Sequence, residues 1–263
     1  MQLDQATILK LAEHIDNAQT NHVEIHKITD DYPQMDYEDA YAIQYALRER
    51  QLARGNKIVG LKMGLTSHAK MKQMGVENAV YGYLLDSFAC QEGAEISVSD
   101  LIHPKVEAEI AFVTKSTIKG KGCHIGTVLS AIDFVVPAVE VIDSRYENFR
   151  FDLKSVIADN TSAAKFVTGG RIRSVDELDL RTLGVVVEKN GEVMVTAAGA
   201  SVLGHPAASV AMLANLLAER GEDIPAGTFI MTGGITEAIA VQAGDNICVR
   251  FQDLGSLTLK FVA

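Results

Sequence analysis

The sequence predicts an α+β fold, helices first and then a largely antiparallel or mixed sheet structure folded as a roll. Two textures predict it. Before residue 55, apolar residues recur at helical spacing, whereas from Lys57 the chain breaks into short apolar runs separated by glycines. A third sign is the stretch 185–195, where two strand-like runs flank Asn190-Gly191, a pair suited to the type I′ turn of a hairpin.

In chain order, Ile8, Leu11, Ala12, Ile15 and Ala18 share one helical face, with Asp4 or Thr7 available as N-cap. A turn-rich connector over 28–33 leads to a second helix over 36–54, with Asp39 near its positive end and Gly55 to stop it. A strand is predicted over 58–63 and a short helix over 67–74, closed by Gly75. The stretch 106–142 supplies two further strands. A helix starts at Pro206, carries Val210, Leu213, Ala214 and Leu217, and stops at Arg220-Gly221. The run 228–232 and the pair 246–252 and 256–262, joined through Asp253-Leu254-Gly255, complete a strand-rich C-terminal part. This suggests a helical region over 1–55 and a β-roll domain over 56–263, with no internal repeat or long linker.

The 263 residues suffice for one large domain or a domain with a smaller appendage. Their net charge of −10 argues against a nucleic-acid or anionic-membrane surface. It does not exclude an acidic substrate, because a bound metal inverts the local field. Cys90, Cys123 and Cys248 are scattered and lack CxxC spacing, as expected of reduced core thiols. The first ten residues contain an acid and no apolar signal-like stretch, and no segment approaches the roughly 20 apolar residues of a membrane span. A soluble, cytoplasmic protein is expected.

Glu107 and Glu109 stand two residues apart in a run that reads as a buried strand, so alternation puts both carboxylates on one face. Glu140 ends a second apolar run, 134–139. Carboxylates beside so much apolar surface are costly to desolvate unless they find a cation or a proton. On residue types alone two readings stand: ligands of a hard divalent ion such as Mg²⁺, or the solvated face of an amphipathic strand. Lys62, in an apolar strand between Gly60 and Gly64, is either a proton carrier or oxyanion partner, or a lysine that snorkels to water. Asp159-Asn160-Thr161-Ser162 offers hydrogen bonds to a ligand or a plain turn, and Thr232-Gly233-Gly234 offers backbone N–H groups to an anion or a strand-to-loop turn. His103, His124 and His205 have no metal-ligand spacing and are assigned structural work. Gly120-Lys121-Gly122 is too short for a phosphate loop, and no dinucleotide or Walker pattern occurs.

Taken together, VGLKMGLTSHAKMKQMGV (59–76), YGYLLDSF (81–88), HPKVEAEIAF (103–112), PAVEVIDSRYENF (137–149), ADNTSAAKFVTGG (158–170) and GTFIMTGGITEA (227–238) carry a resemblance along the whole chain. The chain resembles the hydratase/decarboxylase branch of the fumarylacetoacetate hydrolase superfamily. That resemblance implies a mixed β-roll in which Glu107, Glu109 and Glu140 bind Mg²⁺ or Mn²⁺ and Lys62 lies beside the substrate. Asp86, Ser162 and Thr232 fall in segments that match pocket-lining segments of the family, which implies substrate contacts. Leu61-Lys62-Met63 and the following 67–71 look like the decarboxylases of catechol meta-cleavage. The implied activity is metal-dependent loss of CO2 from 2-oxo-3-hexenedioate, giving 2-hydroxypenta-2,4-dienoate. The alternatives are a hydratase acting on that product and a catalytically silent metal-binding partner subunit. The implied partners are a small dicarboxylic 2-oxo acid, the pathway hydratase and further copies of the same chain.

Overall fold

Asp4 starts the first helix: its carboxylate accepts the Thr7 N–H at 2.7 Å, and α1 (Gln5–Asn21) then buries Ile8, Leu11, Ala12, Ile15 and Ala18. The computed structural model describes residues 1–68, 71–72 and 79–263. The connector expected to be turns contains one helical turn, α2 (Ile28–Asp31), whose acidic Asp30 and Asp31 sit at the helix start. α3 (Tyr37–Ala53) opens on a reciprocal cap in which Asp36 accepts the Asp39 N–H and Asp39 accepts the Asp36 N–H. Asp16 of α1 is fully buried and accepts from Arg50, Gln51 and Arg54, so one carboxylate fastens α1 to the end of α3.

The β region forms two sheets among the described residues. The larger contains β1 (Ile58–Gly64), β2 (Val80–Leu85), β3 (Ala89–Cys90), β5 (Lys105–Thr114), β6 (Ile132–Ile142), β7 (Ala163–Thr168), β10 (Phe229–Met231) and β11 (Ile239–Ala240). Its order is β2-β1-β10-β5-β6-β7-β3, with β11 on the β5 edge. β1 runs parallel to β10 and β3 parallel to β7, and the other pairs are antiparallel, so the sheet is mixed. The smaller sheet comprises β4 (Glu95–Ser97), β8 (Gly184–Lys189), β9 (Glu192–Ala198), β12 (Asn246–Phe251) and β13 (Gly255–Val262), in the order β4-β13-β12-β8-β9. Its predicted hairpin turns through Asn190 (φ 55°) and Gly191 (φ 84°), the left-handed pair that a type I′ turn needs.

Three short helices close the gaps: α4 (Ile125–Ala131), α5 (Leu153–Ala158) and the longer α6 (Pro206–Glu219). The first two lack a long apolar period and were not predicted. His124 and His205 cap α4 and α6 by accepting the Thr127 and Ala207 N–H groups. Contrary to expectation, 199–219 is long and apolar enough for a membrane span by length and composition. Its apolarity fills the core instead, since Val210, Leu213, Ala214 and Leu217 are buried there. Of the helix predicted over 67–74, residues 68, 71 and 72 are helical, and 69, 70, 73 and 74 lie outside the described residues.

The larger sheet has two dissimilar faces. One carries Ala108, Ile110 and Phe112 of β5 and Val135, Val139 and Val141 of β6 into a continuous core that also takes in buried residues of α1, α3, α6 and the smaller sheet. The other carries a smaller apolar cluster, with Ala111, Val136, Ala138, Phe166 and Met231 packed against Phe229. Residues of the helical stretch 1–55 share the first core with the sheet. Asp39 is a direct test of how that stretch is held, because its buried carboxylate also accepts the Gln2 and Leu3 N–H groups at 3.0 and 3.1 Å. Asp39→Ala is expected to cost about 2 kcal/mol, the combined loss of a cap and buried charge-assisted hydrogen bonds. The thermal unfolding midpoint should fall by roughly 4–8 °C; an unchanged midpoint would mean that the cap contributes nothing to the fold.

Candidate metal centre

Pairing between β5 and β6 places Glu107 directly opposite Glu140, and alternation carries Glu109 to the same face beside Ala138. One carboxylate oxygen from each of Glu107, Glu109 and Glu140 lies within 4.8 Å of the others. Glu109 and Glu140 are fully buried and Glu107 partly so. Lys62, on β1, is 2 % exposed and does not snorkel to water. In the sheet order β1 stands three places from β6, yet Lys62 Nζ lies 3.1 Å from Glu140 Oε1. Contact across three strand spacings of about 4.8 Å each requires the sheet to curl and turn both side chains inward.

Among the described residues, the electrostatics of Glu109 and Glu140 stay unbalanced. Three carboxylates and one ammonium carry two net negative charges when all are ionised. Burial pushes the Glu109 carboxyl well above its ordinary value of 4.5, with the Glu140 charge adding and Lys62 opposing. Glu140 is also raised, by burial first, against the pull of Lys62. The Lys62–Glu140 contact is an ion pair by distance without hydrogen-bond geometry. Both Glu140 oxygens and Glu109 Oε1 are therefore buried with no hydrogen bond. Uncompensated buried carboxylate oxygens are costly. Ligand oxygens around one Mg²⁺ at about 2.1 Å stand about 3–4 Å apart, so the trio suits such an ion after small side-chain adjustments.

The surroundings keep this space open. Gly233 donates its N–H to Glu109 Oε2 at 2.7 Å, so the backbone anion site suspected at 232–234 is filled by the protein's own carboxylate. A Cβ at Gly234 would lie 2.8 Å from Glu107 Oε2, and one at Gly233 would lie 2.1 Å from Thr66 Oγ1. The tetrad 159–162 forms a turn after α5 and presents the Thr161 carbonyl to Lys62 Nζ at 3.0 Å.

The three residues expected to touch substrate are not brought to the cluster as a group. Thr232 is buried nearby, and its hydroxyl donates to the Ile110 carbonyl at 2.7 Å. Ser162 is buried and its hydroxyl donates to Asp159 Oδ2 at 3.3 Å. Asp86 is exposed beyond the end of β2, where it accepts the Lys57 and Ser87 N–H groups. The residue opposite Lys62 on that strand is Gly82, about 13 Å of strand away from Asp86. Strand alternation also turns Leu61 and Met63 away from Lys62 into the main core, so they do not supply its surroundings. Sequence reasoning passed over Arg145, which is fully buried, pairs with Asp159 and donates to the Asp143 and Ala163 carbonyls at 2.8 and 3.0 Å. An arginine after an apolar strand, followed by an aspartate at the end of a helix, was the available signal.

Residues 57–262 match the family model described as fumarylacetoacetate (FAA) hydrolase C-terminal. The chain belongs to the fumarylacetoacetate hydrolase family. It is 64 % identical over 260 residues to a 4-oxalocrotonate decarboxylase of Pseudomonas putida, covering 99 % of this chain and 98 % of the relative. A 2-oxo-hept-4-ene-1,7-dioate hydratase of Escherichia coli is 35 % identical over 265 residues, covering 98 % and 99 %. The structure of the 4-oxalocrotonate decarboxylase from Pseudomonas putida G7, complexed with magnesium and adipate, superposes with a TM-score of 0.98 at 62 % identity and covers 99 % of both chains. As a member of this family the chain has the α+β architecture of N-terminal helices followed by mixed curled sheets.

Glu109→Gln separates the two costs at this centre. It should weaken Mg²⁺ binding by about tenfold or more, because a hard cation loses one anionic ligand. In chelator-treated protein it should raise the unfolding midpoint, because one buried charge disappears. The pH dependence has a definite sign. Since burial raises the folded-state value above 4.5, the folded metal-free protein binds the extra proton, and this group's contribution to stability grows as pH falls towards 4.5. The substitution should flatten that slope. Calorimetric Mg²⁺ titration and thermal melts across pH measure both effects; unaltered Mg²⁺ affinity would remove Glu109 from the ligand set.

Proposed function

We propose that this chain is a divalent-metal-dependent carboxy-lyase that converts 2-oxo-3-hexenedioate (4-oxalocrotonate) into 2-hydroxypenta-2,4-dienoate and CO2 in catechol meta-cleavage. The observation that carries this assignment is the cluster of Glu107, Glu109 and Glu140, in which buried oxygens of Glu109 and Glu140 lack a hydrogen bond, set against the buried Lys62 ammonium. Near-complete coverage and 64 % identity to a decarboxylase support it, against 35 % to a hydratase. The adipate complexed with the Pseudomonas putida G7 enzyme is a six-carbon dicarboxylate, like the proposed substrate.

Glu107, Glu109 and Glu140 would hold Mg²⁺ or Mn²⁺. When bound, the ion supplies a Lewis acid for the 2-oxo-acid end of the substrate. In the reaction the C5–C6 bond breaks and C6 leaves as CO2. The electron pair moves through C4 and C3 to the C2 oxygen, giving a dienolate that takes up a proton as the dienol. Lys62 holds its ammonium out of water, where a fixed charge acts strongly on developing anionic charge. Glu140 and the Thr161 carbonyl restrain Nζ, so its position is set before substrate arrives. Ala111, Ala138, Val136, Phe166 and Met231 form an apolar wall on the same sheet face, which excludes water from the reacting carbons. The assignment extends to a cytoplasmic homo-oligomer that associates with the hydratase consuming its product, by the resemblance to both groups.

Purified protein with Mg²⁺ is expected to release CO2 from 2-oxo-3-hexenedioate, read by coupled CO2 detection and dienol absorbance, and to lose activity on chelation. Hydration of 2-hydroxypenta-2,4-dienoate without CO2 release from the diacid would replace the decarboxylase with a hydratase. Absence of both activities at full Mg²⁺ occupancy would favour a silent subunit. Lys62→Ala should reduce kcat by about a hundredfold while Mg²⁺ affinity stays nearly constant. An effect confined to KM would make Lys62 a substrate-binding group only.

A further inference from the structure

Asn160, Thr161 and Ser162 all adopt left-handed backbone conformations, with φ of 48°, 52° and 58°. Three consecutive non-glycine residues in that region are held only where the surroundings over-determine them. Here the surroundings do so from several sides. The Asn160 side chain clasps Tyr83 of β2 like a neighbouring strand: Oδ1 accepts the Tyr83 N–H at 2.8 Å and Nδ2 donates to the Tyr83 carbonyl at 2.9 Å. Asp159, just before the turn, forms a fully buried ion pair with Arg145, and the Ser162 carbonyl accepts the Asp143 N–H at 2.8 Å just after it. On the β2 side the turn lies against Gly82, where a Cβ would stand 2.5 Å from Thr161 Oγ1 and 2.8 Å from the Asn160 carbonyl.

The product of these constraints is one contact. The left-handed turn aims the Thr161 carbonyl at Lys62 Nζ, 3.0 Å away, while Glu140 Oε1 stands 3.1 Å from the same nitrogen. An ammonium has three N–H donors. With one directed at the Thr161 carbonyl and one side facing Glu140, the position and direction of the remaining donor are fixed. Without the carbonyl, the contact of Lys62 Nζ that remains among the described residues is with a carboxylate of the candidate ligand trio.

We propose that Asn160 is a positioning residue for the decarboxylation reaction: through its clasp on Tyr83 it holds the Thr161 carbonyl where it orients the Lys62 ammonium, and Gly82 is the space that permits this. It rests on the decarboxylase assignment above. The tetrad 159–162 thus acts on the lysine rather than on the substrate. A displacement of about 1 Å at such a group can cost roughly a hundredfold in rate.

The test compares Asn160→Ala, which removes the clasp, with Gly82→Ala, which crowds the same turn from β2 and deletes no polar group. Wild-type protein and Lys62→Ala, assayed beside them, test the decarboxylase assignment independently: failure of the wild type to release CO2 overturns that assignment, and wild-type turnover in Lys62→Ala overturns the role of Lys62. With those controls in place, both turn variants are expected to lower kcat by about ten- to a hundredfold. KM and the calorimetric Mg²⁺ affinity should stay within about twofold of wild type. Turnover is normalised to folded protein by circular dichroism and thermal melts. Where Asn160→Ala does not fold, Asn160→Asp, which keeps the acceptor for the Tyr83 N–H but sets a carboxylate oxygen against the Tyr83 carbonyl, is read in the same way. Wild-type kcat per folded molecule in either position's variant, or a parallel loss of Mg²⁺ affinity, would overturn the positioning role.

Discussion

The rest of the structure is arranged around the gathering of three carboxylates, two of them fully buried, and one buried ammonium on the same inner face of a curled sheet. Water would solvate these groups far better than the apolar walls do. Their coexistence requires mutual approach, which the strand register supplies by setting Glu107 opposite Glu140 and by bringing Lys62 across the curl. Even so, the protein leaves oxygens of Glu109 and Glu140 without hydrogen bonds. A second buried ionic group in the same fold shows the contrast. Arg145 and Asp159 are equally buried, yet the guanidinium is satisfied by a carboxylate and by three carbonyls, from Asp143, Asp159 and Ala163. One cluster is complete and holds structure. The other keeps buried carboxylate oxygens of Glu109 and Glu140 without hydrogen bonds, which suits a candidate cation-binding cluster.

Holding an incomplete cluster needs a scaffold whose stability comes from elsewhere. The opposite face of the same sheet provides it, with alternating valines, isoleucine and phenylalanine of β5 and β6 in one core with buried residues of α1, α3, α6 and the smaller sheet. Of these helices, α1 and α3 are tied by Asp16 and Asp39, each buried and accepting several donors. Strand alternation therefore assigns cohesion and chemistry to opposite faces of one sheet.

Close approach at the centre depends on residues without bulk. Gly82, Gly233 and Gly234 each leave a space that a Cβ would fill at under 3 Å from Thr161, Thr66 and Glu107 respectively. The left-handed turn at Asn160–Ser162 uses side-chain hydrogen bonding where glycine is absent. Asparagine is among the residues that best tolerate this conformation.

Local chemistry made much of the molecule legible in the sequence. The caps at Asp4 and Asp36, the Asn190-Gly191 hairpin and the helix that opens at Pro206 rest on interactions within a few residues, so composition and period reveal them. The shared face of Glu107 and Glu109 follows from strand alternation alone, and their juxtaposition with Glu140 was implied by family resemblance. Short elements such as β3, β11, α4 and α5 were not legible, because they are too brief for a period and exist through pairing or packing with distant segments. Only the tertiary structure decided that Lys62 is buried against Glu140, that Asp86 lies at the exposed end of its strand, and that Gly233 serves Glu109. The reason is physical. Alternation fixes which side of a strand a residue faces, but the curl of the sheet and the pairing of strands far apart in sequence fix what it meets there.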